Sequence, residues 1–142
     1  MIVLDANILL YAYDSTSLHH KRARQWLEHA LTSDAPVGIP WQTVSAFLRI
    51  MTNSRLPGER FTTKEAITVI EQWFSQPNVQ RLSPGDSHWS LFQQMILEGQ
   101  AQGPLIMDAQ LAALTIEVGG VLHTVDRDFA RFPKLRWLNP LK

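Results

Sequence analysis

Three aspartates, Asp5, Asp108 and Asp126, carry the strongest chemical signal in this chain. Asp5 ends the apolar run Ile2-Val3-Leu4, and Asp126 ends Val121-Leu122-His123-Thr124-Val125. Asp108 falls in the first turn of an apolar helix, after the break from Gly99 to Pro104. In a parallel α/β sheet, loops and helix N-termini gather outside the carboxyl ends of the strands, so acids that terminate strands share one edge. Three carboxylates that close together repel and raise one another's pKa unless a cation neutralises them. With oxygen donors and no cysteine in the chain, a hard ion such as Mg²⁺ or Mn²⁺ is the simplest answer. Such an ion commonly works on phosphate. Each acid alone also has a structural role open to it: Asp5 and Asp126 as helix caps, Asp108 as a complement to a helix dipole.

The elements that must position these acids alternate along the chain. Ile2-Val3-Leu4 reads as a strand leading into a helix from Asn7 to Tyr13. Ala23, Trp26, Leu27, Ala30 and Leu31 recur on one helical face. Val37-Gly38-Ile39 is a short buried strand, and Pro40 opens a helix carrying Val44, Phe47, Leu48 and Met51. Thr62 or Thr63 caps a helix bearing Ala66, Val69, Ile70, Trp73 and Phe74, followed by a strand at Val79 to Leu82. A helix with Trp89, Phe92 and Ile96 comes next, His88 and Trp89 serving capping and core packing. Leu111, Leu114 and Val118 mark the helix after Asp108, Gly119-Gly120 ends it, Val121 to Val125 forms an inner strand, and Trp137-Leu138 adds an edge strand. Alternation of this kind implies right-handed crossovers and a parallel sheet of about four or five strands covered on both faces: one α/β domain in three layers spanning 1–142.

Composition narrows the function. Thirteen basic and thirteen acidic residues cancel, so no global field steers the protein to nucleic acid and any such binding must be local. Arg and Lys gather at Lys21 to Arg24, at Arg49 to Arg60 and from Arg127 to Arg136. No stretch approaches the ~18 uninterrupted apolar residues that a bilayer span needs, and no export signal opens the chain, so the expectation is a cytoplasmic protein without a membrane role. His19, His20, His88 and His123 show no metal-ligand spacing and are read as structural. The apolar faces of the helix after Pro40 and of Thr63 to Phe74 exceed what one thin layer needs, leaving a partner contact and the core both open as explanations.

Three motifs, Ile2-Val3-Leu4-Asp5-Ala6-Asn7, Met107-Asp108-Ala109-Gln110-Leu111-Ala112-Ala113-Leu114 and Thr124-Val125-Asp126-Arg127-Asp128-Phe129, in this order over nearly the whole chain, resemble the PIN-domain ribonucleases, specifically VapC-like toxins of toxin-antitoxin pairs. The resemblance implies a PIN-like fold and Mg²⁺- or Mn²⁺-dependent endonucleolytic cleavage of RNA by an activated water. It also implies a homodimer and a small VapB-like antitoxin that blocks the active site. Carried over, Asp5, Asp108 and Asp126 are the catalytic, metal-binding acids, Asp128 a fourth in reserve, and Asn7 and Thr124 polar residues that orient acids or water. RNA contacts are expected from Arg49, Arg55 and Arg127, with two subunits pairing around one substrate. One departure stands out: the family's usual glutamate after the second strand is Ala46 here, beside Ser45.

Two other readings compete. A haloacid-dehalogenase-like phosphatase also places an aspartate after its first strand, but needs a second one two residues on, where this chain has Asn7. A module that has lost activity, as Ala46 suggests, would instead bind nucleic acid or protein through its basic clusters and aromatic residues.

Overall fold

The computed structural model describes all 142 residues. Strand β1 (Ile2–Leu4) leads into helix α1 (Ala6–Tyr13), α2 (His20–Thr32), β2 (Val37–Pro40), α3 (Trp41–Met51), α4 (Thr63–Phe74) and β3 (Val79–Leu82). Then come α5 (His88–Gly99), α6 (Leu105–Glu117), β4 (Val121–His123), a 3-10 turn over Arg127–Arg131, and β5 (Trp137–Leu138). The strands form one five-stranded sheet in the order β3-β2-β1-β4-β5, every neighbouring pair parallel.

This order matters for the site. From β1 the chain steps outward through β2 to β3, then returns to the other side of β1 as β4. The carboxyl ends of β1 and β4 therefore flank the switch point, where successive connections diverge and leave a crevice. Ile2 faces both Val37 and Val121 in register, and Leu4 faces His123, so residues just past Leu4 and His123 emerge side by side.

Both sheet faces are covered, as the continuous apolar strands require. On one face Leu4, Ile39, Leu9, Phe47 and Trp73 belong to a core made with α1 to α4, while on the other Val3, Leu122, Met95, Ala112 and Phe129 pack with α5, α6 and the 3-10 turn. Gly38 lies where a Cβ would meet Met1 Sδ at 2.8 Å and Leu82 Cγ at 2.9 Å, so glycine lets β1, β2 and β3 close up. Of the two threonines offered as a cap for α4, Thr62 takes the role, its hydroxyl accepting from Glu65 N–H in a complete capping box.

Three details depart from the sequence reading. Strand β4 stops at His123, two residues early, because the Thr124 hydroxyl takes the Asp126 N–H at 3.0 Å and turns the chain out of the ladder. Trp89 is 64% exposed, outside the core, and His88 caps nothing: Ser87 occupies the cap position and α5 buries Met95 and Gly99 instead. Most of the apolar surplus on α3 and α4 is core, as Val44, Phe47, Met51, Ile70 and Trp73 are buried, yet Trp41 and Ile67 remain about half exposed beside Leu48 and Phe74.

Candidate metal centre

Asp5, Asp108 and Asp126 gather on the sheet edge at the carboxyl ends of β1 and β4, but the closest carboxylate cluster is Asp108, Asp126 and Asp128, with Asp5 beside it. Asp5 caps α1: its Oδ1 accepts from Ala6 N–H at 2.7 Å. Its Oδ2 accepts from the Thr124 hydroxyl at 2.8 Å and from Asn7 Nδ2 at 3.3 Å. Thr124, fully buried, acts as a hub, since its oxygen also accepts from Asn7 Nδ2 at 3.0 Å and from Asp126 N–H. One hydroxyl thereby joins the end of β1 to the chain leaving β4 with its donor and both acceptor positions used. Asp126 caps the 3-10 turn through Oδ1, which accepts from Asp128 N–H at 2.9 Å. This bond folds Asp128 back toward Asp126.

Asp108 comes from the first turn of α6. Carboxylate oxygens of Asp108, Asp126 and Asp128 lie within 4.8 Å of one another, with Asp108 and Asp126 half-buried and Asp128 exposed. The tightest triple thus contains Asp128, and Asp5 stands beside it, its charge felt by Asp108. Burial first, then the charges of Asp126, Asp5 and Asp128, raises the Asp108 carboxyl from 3.8 to about 6, with the Arg131 charge acting the other way. Burial also raises Asp5, against which its hydrogen bonds from Thr124 and Ala6 act. Clustered carboxylates with an unrelieved cost of ionisation and an oxygen-only donor set fit a hard divalent cation.

The arrangement depends on contacts that no local motif announces. Thr43, buried in the first turn of α3, donates to Leu4 O at 2.7 Å and pins α3 to the residue before Asp5. Gln42 Nε2 donates to Met107 O at 2.8 Å, tying α3 to the turn that carries Asp108. Arg131 Nη1 donates to Gly99 O at 2.9 Å and so fixes the 3-10 turn against the end of α5. Ala46 sits one turn beyond Thr43, half-buried, and Ser45 is exposed.

The three arginines divide. Arg127 is exposed and adjoins Asp126. Arg49 lies in the last turn of α3, and the exposed loop carrying Arg55 returns through Glu59, whose N–H donates to Asp14 at the far end of α1. With α1 eight residues long, that places the loop roughly 12 Å along the helix from Asp5. His19 and His20 stand at the start of α2, where His20 Nδ1 lies 3.0 Å from Tyr11 O.

Comparison with known proteins agrees with the geometry. The PIN-domain profile matches residues 2–135. The chain is 36% identical over 141 residues to the ribonuclease VapC43 of Mycobacterium tuberculosis (strain ATCC 25618 / H37Rv), covering 99% of this chain and 96% of the relative. It is 35% identical over 142 residues to ribonuclease VapC33 of the same strain, covering 100% and 99%. Among solved structures it resembles VapBC2 from Rickettsia felis bound to a promoter DNA fragment, with a TM-score of 0.73, 17% identity and 98% of each chain covered. It also resembles Mycobacterium tuberculosis VapC20, described as a sarcin-ricin loop cleaving toxin, with a TM-score of 0.65, 13% identity and 92% and 93% covered. The five-stranded parallel sheet, the order of the acidic motifs and the full-length identity together set the phosphatase alternative aside: the chain belongs to the PIN-domain family, among the VapC ribonucleases.

Proposed function

We propose that this protein is a Mg²⁺- or Mn²⁺-dependent endoribonuclease, the toxin of a toxin-antitoxin pair, acting as one PIN-like domain over residues 1–142. The observation that carries the reading is the convergence of Asp108, Asp126 and Asp128 within 4.8 Å, with Asp108 pushed up to about 6. A divalent cation held there by Asp108, Asp126 and Asp128 would supply Lewis acidity toward a phosphodiester and lower the pKa of an attacking water. The chain's own residues do the positioning. Thr124 and Asn7 orient the Asp5 carboxylate, Asp126 fixes the turn that presents Asp128, and Gln42 steadies the helix turn bearing Asp108. Arg127, exposed and next to Asp126, would meet the RNA backbone, and Arg49 and Arg55 would engage a strand that extends along α3.

A VapB-like antitoxin and a second copy of the chain are the partners in this reading. The half-exposed Trp41 and Ile67, with Leu48 and Phe74, give such a partner an apolar groove on α3 and α4. No helix is long and apolar enough to cross a membrane, which is compatible with work on cytoplasmic RNA. Ala46 favours one second reading, a PIN-like module with weakened metal binding or none, retained for nucleic-acid or protein contact. Purified full-length protein, incubated with total RNA in Mg²⁺, Mn²⁺ or EDTA beside Asp5→Asn and Asp108→Asn variants, decides between them. Metal-dependent cleavage lost in both variants supports the nuclease. Equal cleavage by all three proteins rejects the site, and no cleavage by any of them, with antitoxin binding intact, selects the inactive module.

A further inference from the structure

A second crevice opens on the same sheet edge, over the carboxyl ends of β2 and β3, lined by Trp41, Gln42, Leu82, His88, Gln110 and Leu114. Its volume is about 170 Å³, well below the roughly 300–1,000 Å³ of sites that enclose whole small molecules. It suits one planar ring. Its walls are built for such a guest. Trp41, 46% exposed, is held by its Nε1–H donating to Ser83 Oγ at 3.1 Å and by an edge contact to Phe74 at 5.7 Å between ring centroids. Gln42 commits its amide N–H to Met107 O, which leaves its amide oxygen as an acceptor. Leu82 and Leu114, both buried, supply an apolar floor.

His88 is the telling residue. Both of its ring nitrogens are buried and neither has a hydrogen-bond partner. The nearest charge, Glu117, accepts a bifurcated bond from Gly85 N–H at 3.1 Å and lies 3.6 Å from His88 Nδ1, beyond hydrogen-bond reach. Buried polar atoms left unpaired are costly and uncommon, and a neutral imidazole offers one donor and one acceptor. The edge of a nucleobase carries donors and acceptors side by side, and its face stacks on an aromatic ring.

The distance to the acids fits. Asp5 leaves β1 and Asp126 leaves β4, whereas the crevice stands over β2 and β3, one to two strand spacings from β1 and two to three from β4, roughly 5–10 Å and roughly 10–15 Å. That is the reach of a nucleotide next to the phosphate held at the acids. Gln42 links the two places physically, since its partner Met107 precedes Asp108. We propose that this crevice is a specificity subsite that receives an unpaired base of the RNA adjacent to the scissile phosphate, with Trp41 stacking on it and His88, Gln110 and Gln42 reading its edge. The inference rests on the ribonuclease reading for its substrate and on the crevice alone for its chemistry.

The test separates the two. Isotope-labelled full-length protein is titrated with each nucleoside monophosphate and with ribose 5-phosphate, which has sugar and phosphate but no base, while the Trp41 indole and His88 ring signals are followed by NMR. Saturable shifts with at least one nucleotide and none with ribose 5-phosphate, weakened about tenfold by His88→Gln, support the subsite. No shift with any nucleotide, or the same shift with ribose 5-phosphate, overturns it. A randomised single-stranded RNA pool, sequenced after cleavage, gives the second reading. A base preference beside the cut that flattens in both His88→Gln and Gln110→Leu supports the proposal, and a preference unchanged in both overturns it. If the wild type cleaves nothing, the ribonuclease reading fails by itself, and the titration still decides whether the crevice binds a base.

Discussion

Replacing Asp108 with asparagine should make the metal-free protein more stable while removing its activity. The Asp108 carboxyl is raised from 3.8 to about 6 by burial and by the charges of Asp126, Asp5 and Asp128. The folded chain therefore binds the proton more tightly than the unfolded chain does. By linkage, stability without metal falls as pH climbs from about 4 through about 6, and the whole penalty is present above that. Each tenfold in proton affinity is about 1.4 kcal/mol, so the rise to about 6 would cost roughly 3 kcal/mol if fully felt. Solvent reaches this half-buried group, which discounts the cost to about 1–1.5 kcal/mol. Asparagine keeps the shape and carries no charge. In EDTA at about pH 7.5, Asp108→Asn should melt roughly 4 °C above the wild type, and the advantage should shrink toward about pH 4 and vanish below it, where the aspartate becomes protonated in both states. Adding Mg²⁺ or Mn²⁺ should then raise the wild type by mass action and the variant much less. Thermal denaturation monitored by circular dichroism across this pH range gives the answer. An asparagine variant no more stable than the wild type at the higher pH, or equally favoured at both, would refute the argument from burial and repulsion.

Four further outcomes follow from the same geometry. Thr124→Val leaves Asn7, Asp5 and the Asp126 N–H without their shared hydroxyl, which should cost about 2–3 kcal/mol in urea unfolding and about 10- to 100-fold in Mn²⁺ affinity by calorimetry. Ala46→Glu adds a carboxylate one turn past Thr43, on the helix pinned to the residue before Asp5; an increase of about tenfold in Mn²⁺ affinity is expected, and unchanged affinity would mean that position 46 does not face the acids. Gly99→Ala would set a Cβ 2.6 Å from Phe132 Cδ1, so a loss of about 1–3 kcal/mol is expected, together with reduced activity as the turn bearing Asp128 shifts. Arg127→Glu should weaken RNA binding and lower its salt slope by about one, whereas Arg55→Glu, on the loop that returns to the far end of α1, should change both less; filter binding at several salt concentrations measures each.

The parts of this molecule legible in the sequence are those set by local pattern. Asp5 and Asp126 could be assigned to one edge because each ends an apolar run, and parallel strands bring such ends together whatever the helices do. Phase and packing were harder to read. Trp89, Phe92 and Ile96 share a helical spacing, and Phe92 and Ile96 do pack against the core, but Trp89 stays outside it and α5 buries Met95 and Gly99 most deeply, with Phe132 lying against Gly99, a contact 33 positions along the chain. The length of β4 turned on a hydroxyl two residues before Asp126, and the weight of Asp128 on a bond from its own N–H to Asp126 Oδ1. Gln42 and Met107 are 65 residues apart, so their contact has no local signature at all.

The capping and metal-binding roles of the acids, which compete when each residue is considered alone, work together in the fold. Capping commits oxygens unequally. Asp5 has both oxygens engaged, one by Ala6 N–H and the other by Thr124 and Asn7. Asp126 commits only Oδ1, to Asp128 N–H. Asp108 is raised by burial and like charge, with only the Arg131 charge acting against them. A cation gains most where carboxylate charge is least compensated, so it should settle among Asp108, Asp126 and Asp128 and leave Asp5 at the side, held as an oriented acceptor. The caps thus give the acids fixed positions and also determine which of them retains an oxygen to offer.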